Sequence, residues 1–186
     1  MGSHSSFVLS GAPLNLEARR AQLRADLELA RQEFHTLVSS IPDQAWTQPS
    51  RNAGWNNDQL VFHILLGFIL VQPLSFVLIF FGHLPDVCSQ IFAGILNLAT
   101  PLFNLINKIG PRFAARWLGR AGIVRKFDQI SDALVKQLDH SKPGHWVLSM
   151  RYPTRWDPRF KDDMHLEEVF RYAIAHLHHH SAQITQ

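Results

Sequence analysis

Residues 164–184 read MHLEEVFRYAIAHLHHHSAQI, and this stretch predicts the amphipathic helix that decides the fold. Apolar side chains recur along it at helical spacing: Val169, Ala173, Leu177 and Ile184. His176 and His180 are four residues apart, so both rings lie on one helix face, roughly on the side of that stripe. This spacing predicts an inward-facing pair that can bind one divalent metal ion, whereas His178 is expected to face solvent. Histidine-rich helix ends without a metal are also common, so both interpretations stay open.

The composition predicts one folded domain. The chain has 186 residues, of which 46% are hydrophobic and 18% are charged, enough to bury a core without disulfide bonds. The net charge is +3 and the Lys and Arg residues are scattered, so no nucleic-acid surface is expected. Cys88 is the single cysteine, which excludes an internal disulfide and favours a reducing, cytoplasmic location. Residues 1–13 are expected to be disordered or left over from cloning, and residues 14–186 to form the domain.

Three further stretches predict bundle helices. Residues 14–40 and 123–140 carry apolar side chains at steps of three and four residues. Another helix is expected to begin at Asn56, because Gln59 three positions later completes a capping pattern before an apolar run. His63 lies in the second turn of that helix, where a core histidine without a ligand role is the commoner case. The dipeptide Gly110-Pro111 predicts a break between the second and third bundle helices.

Residues 64–109 are unusually apolar. The first part, residues 64–82, reads ILLGFILVQPLSFVLIFFG and is near the length that spans a bilayer. Gln72-Pro73 interrupts it, and no Lys or Arg flanks it on either side, which argues against a simple membrane span. From the surplus of apolar surface we expect a C2 homodimer. Core packing, a lipophilic pocket and membrane contact are the alternatives for the same residues.

The segment of residues 145–163 is rich in Pro, Trp and Arg and shows no strand pattern. Segments of this length without secondary structure often carry function in compact domains. Arg151 and Arg155, with Trp156 beside them, are therefore candidates for binding an anionic group of a substrate or a thiol. Salt bridges to aspartates of the same segment are the structural alternative for the two arginines.

Motifs spread over the chain resemble one known family in their combination. They are Trp55 with His63 eight residues later, the pair His176 and His180 followed by Gln183 and Ile184, the segment MRYPTRWDPRF (residues 150–160) and the helix start MHLEEV (residues 164–169). Together they resemble the DinB/YfiT-like superfamily. The resemblance implies an all-α four-helix bundle with up-down-down-up topology. To that bundle this chain is expected to add apolar helical segments between helices 2 and 3.

The resemblance also implies a divalent metal, zinc or nickel, bound by one histidine of the second helix and two of the fourth. On this chain those ligands are His63, His176 and His180. Some relatives are transferases or isomerases that use a low-molecular-weight thiol such as bacillithiol or mycothiol, and others are hydrolases. Three neutral imidazoles leave the metal its full charge, so a bound water or thiol becomes a nucleophile near neutral pH.

We therefore expect a metal-dependent enzyme, a thiol S-transferase or a hydrolase, acting on a small and fairly hydrophobic substrate. The alternative hypothesis is a non-enzymatic metal- or lipophile-binding stress or interaction protein with the same bundle. No catalytic side chain is identified, because no obvious carboxylate base falls near His63 or His176 in the sequence and one could arrive only through the fold.

Overall fold

The structure, a computed structural model, describes residues 12–185 as a helical bundle with one small sheet. The helices are α1 (Ala12–Ser40), α2 (Asn57–Phe81), α3 (Asp86–Leu98), α4 (Thr100–Asp139) and α5 (Leu166–Ser181). The strands are β1 (Ser149–Arg151) and β2 (Asp163–His165), and two short 3-10 helices cover Asp43–Ala45 and Pro143–Val147. The prediction made for residues 1–13 falls mostly outside the described residues, and Ala12 and Pro13 belong to α1.

Side-chain contacts fix the direction of each helix. Three contacts join α1 to α4: Arg24 to Asp139, Arg31 to Asp132 and His35 to Asp128. Three others join α1 to α5: Arg19 to Glu167, Asp26 to Arg171 and Glu33 to His178. The partner numbers fall along α4 and rise along α5 as the α1 numbers rise. Helix α1 is therefore antiparallel to α4 and parallel to α5.

The remaining helix pair completes the topology. Gln137 of α4 donates a hydrogen bond to Ser75 of α2, and Phe127 packs on Phe68, so the numbers of both helices rise together and they are parallel. Between α2 and α5 the numbers run in opposite senses, since the His63 ring contacts His180 and Gly67 approaches His176. The all-α fold and the up-down-down-up order predicted from the sequence are therefore confirmed.

Helix α4 is two helices joined at a break. Gly119 has a φ of 62°, a conformation that favours glycine, and it separates residues 100–118 from residues 120–139. The second half is the third helix of the bundle, and α3 with the first half of α4 forms the added apolar segments. The break predicted at Gly110-Pro111 is wrong, because the helix continues through Pro111, which is buried within it. The helix instead breaks at Gly119, nine residues after Gly110, where glycine permits the positive φ.

The sheet was not predicted from the sequence. Strands β1 and β2 pair in antiparallel register, with Met150 opposite Met164. Each strand has three residues, which is too short to show an alternating pattern. The sheet closes residues 145–163 into a hairpin and fixes where this segment returns to the N-terminus of α5. This closure decides which side chains of the hairpin reach the bundle interior.

Helix α2 is long and apolar enough to span a membrane by length and composition, and α3 with α4 passes the same test only as a pair bent by 59°. Core helices of soluble proteins also have this character, and α2 contributes many fully buried side chains to the shared core: Leu60, Val61, Ile64, Leu65, Phe68 and Val71. Pro73 lies inside the helix. Packing against α4 and α5 accounts for these apolar residues of α2.

The centre of the core is an aromatic stack between α1 and α4. The Phe34 and Phe127 rings lie 3.8 Å apart and nearly parallel, and Phe68 packs on Phe127 at 4.5 Å. We expect Phe127→Ala to lower the free energy of unfolding by about 3–5 kcal/mol, because it leaves a cavity at the meeting point of three helices. Urea unfolding measures the change. Phe113→Ala is the matched control, since that side chain is 73% exposed and its loss should alter stability by less than about 0.5 kcal/mol.

Candidate metal centre

Three histidine side chains meet where the N-terminal part of α2 crosses the C-terminal part of α5. Helix α2 begins where the Gln59 side chain accepts a hydrogen bond from the Asn56 backbone N–H, and this start places His63 in the second turn. His176 and His180 are one turn apart on α5. All three are buried, and one ring nitrogen from each lies within 4.8 Å of the other two. The structure thus brings together the residues that sequence spacing and family resemblance had selected.

Each histidine ring of the cluster contacts the other two. The His63 ring centroid lies 4.7 Å from those of both His176 and His180, and the latter two are 4.5 Å apart. Trp55 covers the far side of His63, with its ring centroid 4.4 Å away. His178 and His179 of the same helix are exposed, which confirms the solvent-facing position expected for His178.

Burial keeps two histidines of the cluster, His63 and His180, in their neutral form. Burial away from solvent is the largest cause that lowers the pKa of His63 to about 2, and repulsion from His176 and His180 adds to it. Burial is also the largest cause that lowers the pKa of His180 to about 4, and repulsion from His176 adds to it. Neutral imidazole carries the lone pair that a metal ion needs. The electrostatic environment therefore presents two of these rings as ligands at neutral pH.

Two ring nitrogens of the cluster lack a protein hydrogen-bond partner, although one of them, His176 Nδ1, faces the Asp157 carboxylate at 3.7 Å. The Nδ1 atoms of His63 and His176 are buried and accept or donate no hydrogen bond within the described residues. A buried polar atom left without a partner costs about 1–3 kcal/mol. A metal ion among the rings would remove the need for protein partners at the ligating nitrogens. The donor set, three imidazoles, also suits zinc or nickel.

His180 is oriented by a hydrogen-bond chain that reaches the connector before α2. Its Nδ1 lies 2.8 Å from Gln183 Oε1, and the Asn52 side-chain amide donates to the same oxygen at 2.8 Å. A proton on Nδ1 leaves Nε2 free to act as a ligand, as is usual for metal-binding histidines. Sequence reasoning quoted Gln183 only as part of a family motif and missed its orienting role.

Asp157 brings a carboxylate to His176, which the sequence did not predict. Its Oδ2 lies 3.7 Å from His176 Nδ1, and the Tyr172 hydroxyl donates to the same oxygen at 3.1 Å. Burial acts to raise the pKa of Asp157, but His176, the Arg159 backbone N–H and the Tyr172 hydroxyl lower it more, so the carboxylate is ionised. A carboxylate beside a ligating histidine is a common feature of metal sites. The β1–β2 hairpin delivers it.

The candidate substrate residues make their described contacts with α3, α4 and the hairpin itself. Arg151 pairs with Asp86 and Asp162, which corresponds to the salt-bridge alternative. Arg155 is exposed, and its backbone N–H donates to the Asn97 side chain. The Trp156 indole donates to the Leu96 carbonyl at 2.7 Å and stacks on Phe103 at 4.2 Å. In these positions the three residues join the hairpin to α3 and α4.

The first half of α4 covers the cluster from outside. Asn107 adjoins His63 and acts to raise its pKa, an effect that burial and the other two histidines outweigh. Phe103 of the same helix segment stacks on Trp156, the residue that directly precedes Asp157. Arg112 donates to the Gly54 carbonyl at 3.3 Å, next to Trp55. The added apolar segment therefore forms one wall of the metal centre.

Gly67 permits the close approach of α2 and α5 at the cluster. A Cβ atom at this position would lie 2.5 Å from His176 Cδ2, which no real side chain tolerates without movement. Gly67→Ala should displace the His176 ring, lower stability by about 1–3 kcal/mol and reduce metal affinity. Gly94→Ala is the matched control, because Gly94 lies in α3 with open space around the added atom. Equal behaviour of the two variants in melting and zinc titration would contradict the assignment.

The lowered pKa values predict acid sensitivity of the metal-free protein. The folded-state values of His63 and His180 lie below the ordinary value of 6.5, so the stability they preserve is complete above pH 6.5 and falls as the pH drops towards 4. Urea midpoints of chelator-treated protein between pH 7.5 and 5 measure this loss, in a range above the ordinary carboxyl values. His63→Gln should flatten the profile, and an unchanged slope would argue against a buried neutral His63.

A comparison with protein families gives the chain its place. The family model for the DinB superfamily matches residues 26–184, which is most of the chain and includes all three clustered histidines. Neither the curated proteins nor the solved structures contained a match. The fold, the helix order and the family match agree, and the chain belongs to the DinB superfamily.

Proposed function

We propose that His63, His176 and His180 bind one divalent metal ion and that the protein is a metal-dependent enzyme acting on a small, fairly hydrophobic molecule. The observation that carries the proposal is the burial of three converging imidazoles, two of which are held neutral, with His63 Nδ1 lacking a hydrogen-bond partner within the described residues. Membership of the DinB superfamily supports it. Zinc and nickel are the metals that this donor set favours.

The side chains around the ion would have two roles, to orient the ligand rings and to restrict water. A divalent ion held by three neutral ligands supplies a strong positive charge, which favours the anionic form of a bound thiol or water. A hydrogen bond to Gln183 orients the His180 ring, and the Asp157 carboxylate lies beside the His176 ring. Trp55 and the apolar wall from α4 restrict water at the site. A thiol S-transferase or a hydrolase fits this arrangement.

The metal assignment predicts a defined stoichiometry. Untagged protein, stripped with chelator and dialysed against zinc, should retain one ion per chain by plasma mass spectrometry. His63→Ala should lose it, because two ligands on one helix turn hold an ion far more weakly than three. His178→Ala is the matched control and should retain the ion, since this histidine is exposed and contacts Glu33 instead. Equal zinc content in the two variants would overturn the site.

The role given to Asp157 is tested separately. Asp157→Asn removes the charge beside His176 Nδ1 while keeping the shape, and it should weaken zinc binding by roughly 10–100-fold. Asp162→Asn is the control from the same hairpin, because Asp162 pairs with Arg151 and not with the cluster. Competition titration with a chromogenic chelator measures both. Identical affinities would remove Asp157 from the site while leaving the three ligands in place.

One observation favours the alternative of a lipophile-binding protein without catalysis. An apolar cleft of about 310 Å³ lies between α2, α4 and α5, lined in part by Phe76, Ile79, Leu166 and Phe170. It lies at the end of the bundle away from His63, His176 and His180. Assays with two sets of compounds, thiols paired with electrophilic substrates and hydrolysable esters and amides, separate the enzyme from the binding protein. Turnover that is lost in His63→Ala supports the enzyme, whereas metal binding without any turnover supports the binding protein.

A further inference from the structure

The first half of α4 turns an apolar stripe to solvent. Its members follow helical spacing of four, three, four and four residues: Leu102, Ile106, Ile109, Phe113 and Trp117. Trp117 is 85% exposed and Phe113 is 73% exposed, which is unusual for two large aromatic side chains. Another side of the same helix, about 100° around from the stripe, carries Phe103 and Asn107, which face Trp156 and His63. The stripe is therefore not part of the bundle core, and we call it the outer face.

Helix α3 continues the same property. Val87, Ile91, Ile95 and Leu98 are spaced by four, four and three residues, and each is more than half exposed. Leu98 precedes Leu102 by four residues across the junction with α4. Apolar surface of this extent rarely stays uncovered in a folded protein. Two consecutive helices thus present exposed apolar stripes, which require a partner.

Positive charge borders the outer face along one edge. Lys108, Arg112 and Arg116 are exposed and spaced by four residues, so they form a row on the helix. Each one directly precedes a member of the stripe, which places it about 100° further around the helix. No Asp or Glu occurs between Asp86 and Asp128. The surface is therefore apolar in its middle and cationic at its margin, without compensating negative charge.

We propose that the outer face docks on an anionic lipid surface. An amphipathic helix with Trp, Phe and Leu on one side and Lys or Arg beside them is the arrangement that lies in the plane of a membrane interface. The apolar side chains enter the boundary of the acyl chains, and the cationic row meets the lipid phosphates. The helix does not span the bilayer, because Phe103 on another side of it stacks on Trp156 of the hairpin.

A second copy of the chain fits the same surface less well. In a C2 dimer the outer face would pair with itself, and the two cationic rows would border one interface without an acidic partner. The nearest acidic residue before the row, Asp86, already pairs with Arg151. An anionic lipid surface complements both the apolar and the charged part. Docking would also place the metal centre, on another side of the same helix, beside the membrane.

Vesicle sedimentation tests the proposal directly. The full chain should bind phosphatidylcholine vesicles that contain phosphatidylserine, bind pure phosphatidylcholine weakly, and dissociate as salt is raised. Phe113→Ser with Trp117→Ser should weaken binding by roughly tenfold or more. Val147→Ser is the apolar control, because that side chain is 77% exposed and lies outside the outer face. All of these side chains are exposed, so circular dichroism should show an unchanged fold.

The charged row has its own matched variants. Lys108→Gln with Arg116→Gln should remove most of the preference for phosphatidylserine, whereas Lys142→Gln, exposed outside the row, should leave it unchanged. Absence of binding to phosphatidylserine vesicles overturns the proposal. If sedimentation then shows a dimer that the Phe113 and Trp117 substitutions dissociate, a second copy covers the face. Vesicle binding by His63→Ala at full strength supports docking and separates it from the fate of the metal assignment.

Discussion

The contact on which the structure depends is the close approach of α2 and α5 at Gly67. Only a residue without a side chain lets the His176 ring lie against the α2 backbone, and that ring then contacts both His63 and His180. Three imidazoles packed together without solvent are unfavourable as cations and favourable as ligands. The same packing that closes this end of the bundle therefore creates a site for a metal ion.

The elements around this contact each contribute to its geometry. The hairpin carries Asp157 to His176, and the connector before α2 carries Asn52 to Gln183 and through it to His180. The first half of α4 closes the outside. Its inner side faces the cluster and its outer side is apolar, so a single helix separates the proposed metal centre from the proposed lipid surface. Both proposals concern the same end of the molecule, although neither depends on the other.

The bundle helices and the pair His176 and His180 could be predicted from the sequence, because both depend on patterns within a few residues. Helical spacing put His176 and His180 on one face, and apolar periodicity located the bundle helices, because both properties repeat within a few residues. His63 needed the family resemblance, since its partners lie more than a hundred residues away. Asp157 and Gly67 could not be assigned roles, because their importance arises only when the hairpin and the crossing of α2 with α5 are formed. The main break was expected at Gly110-Pro111 rather than at Gly119, because proline is the stronger helix breaker by residue type, yet Pro111 lies within a continuous helix.

The central claim is that three imidazoles of this bundle bind one metal ion. X-ray absorption spectroscopy of the untagged, zinc-loaded protein tests it most directly. The account predicts an inner shell with three imidazole nitrogens at about 2.0–2.1 Å and a further light atom from solvent or substrate. Replacement of His178 and His179 by alanine should leave that spectrum unchanged. A spectrum with fewer imidazoles, or one that changes when the two exposed histidines are removed, would contradict the assignment of His63, His176 and His180.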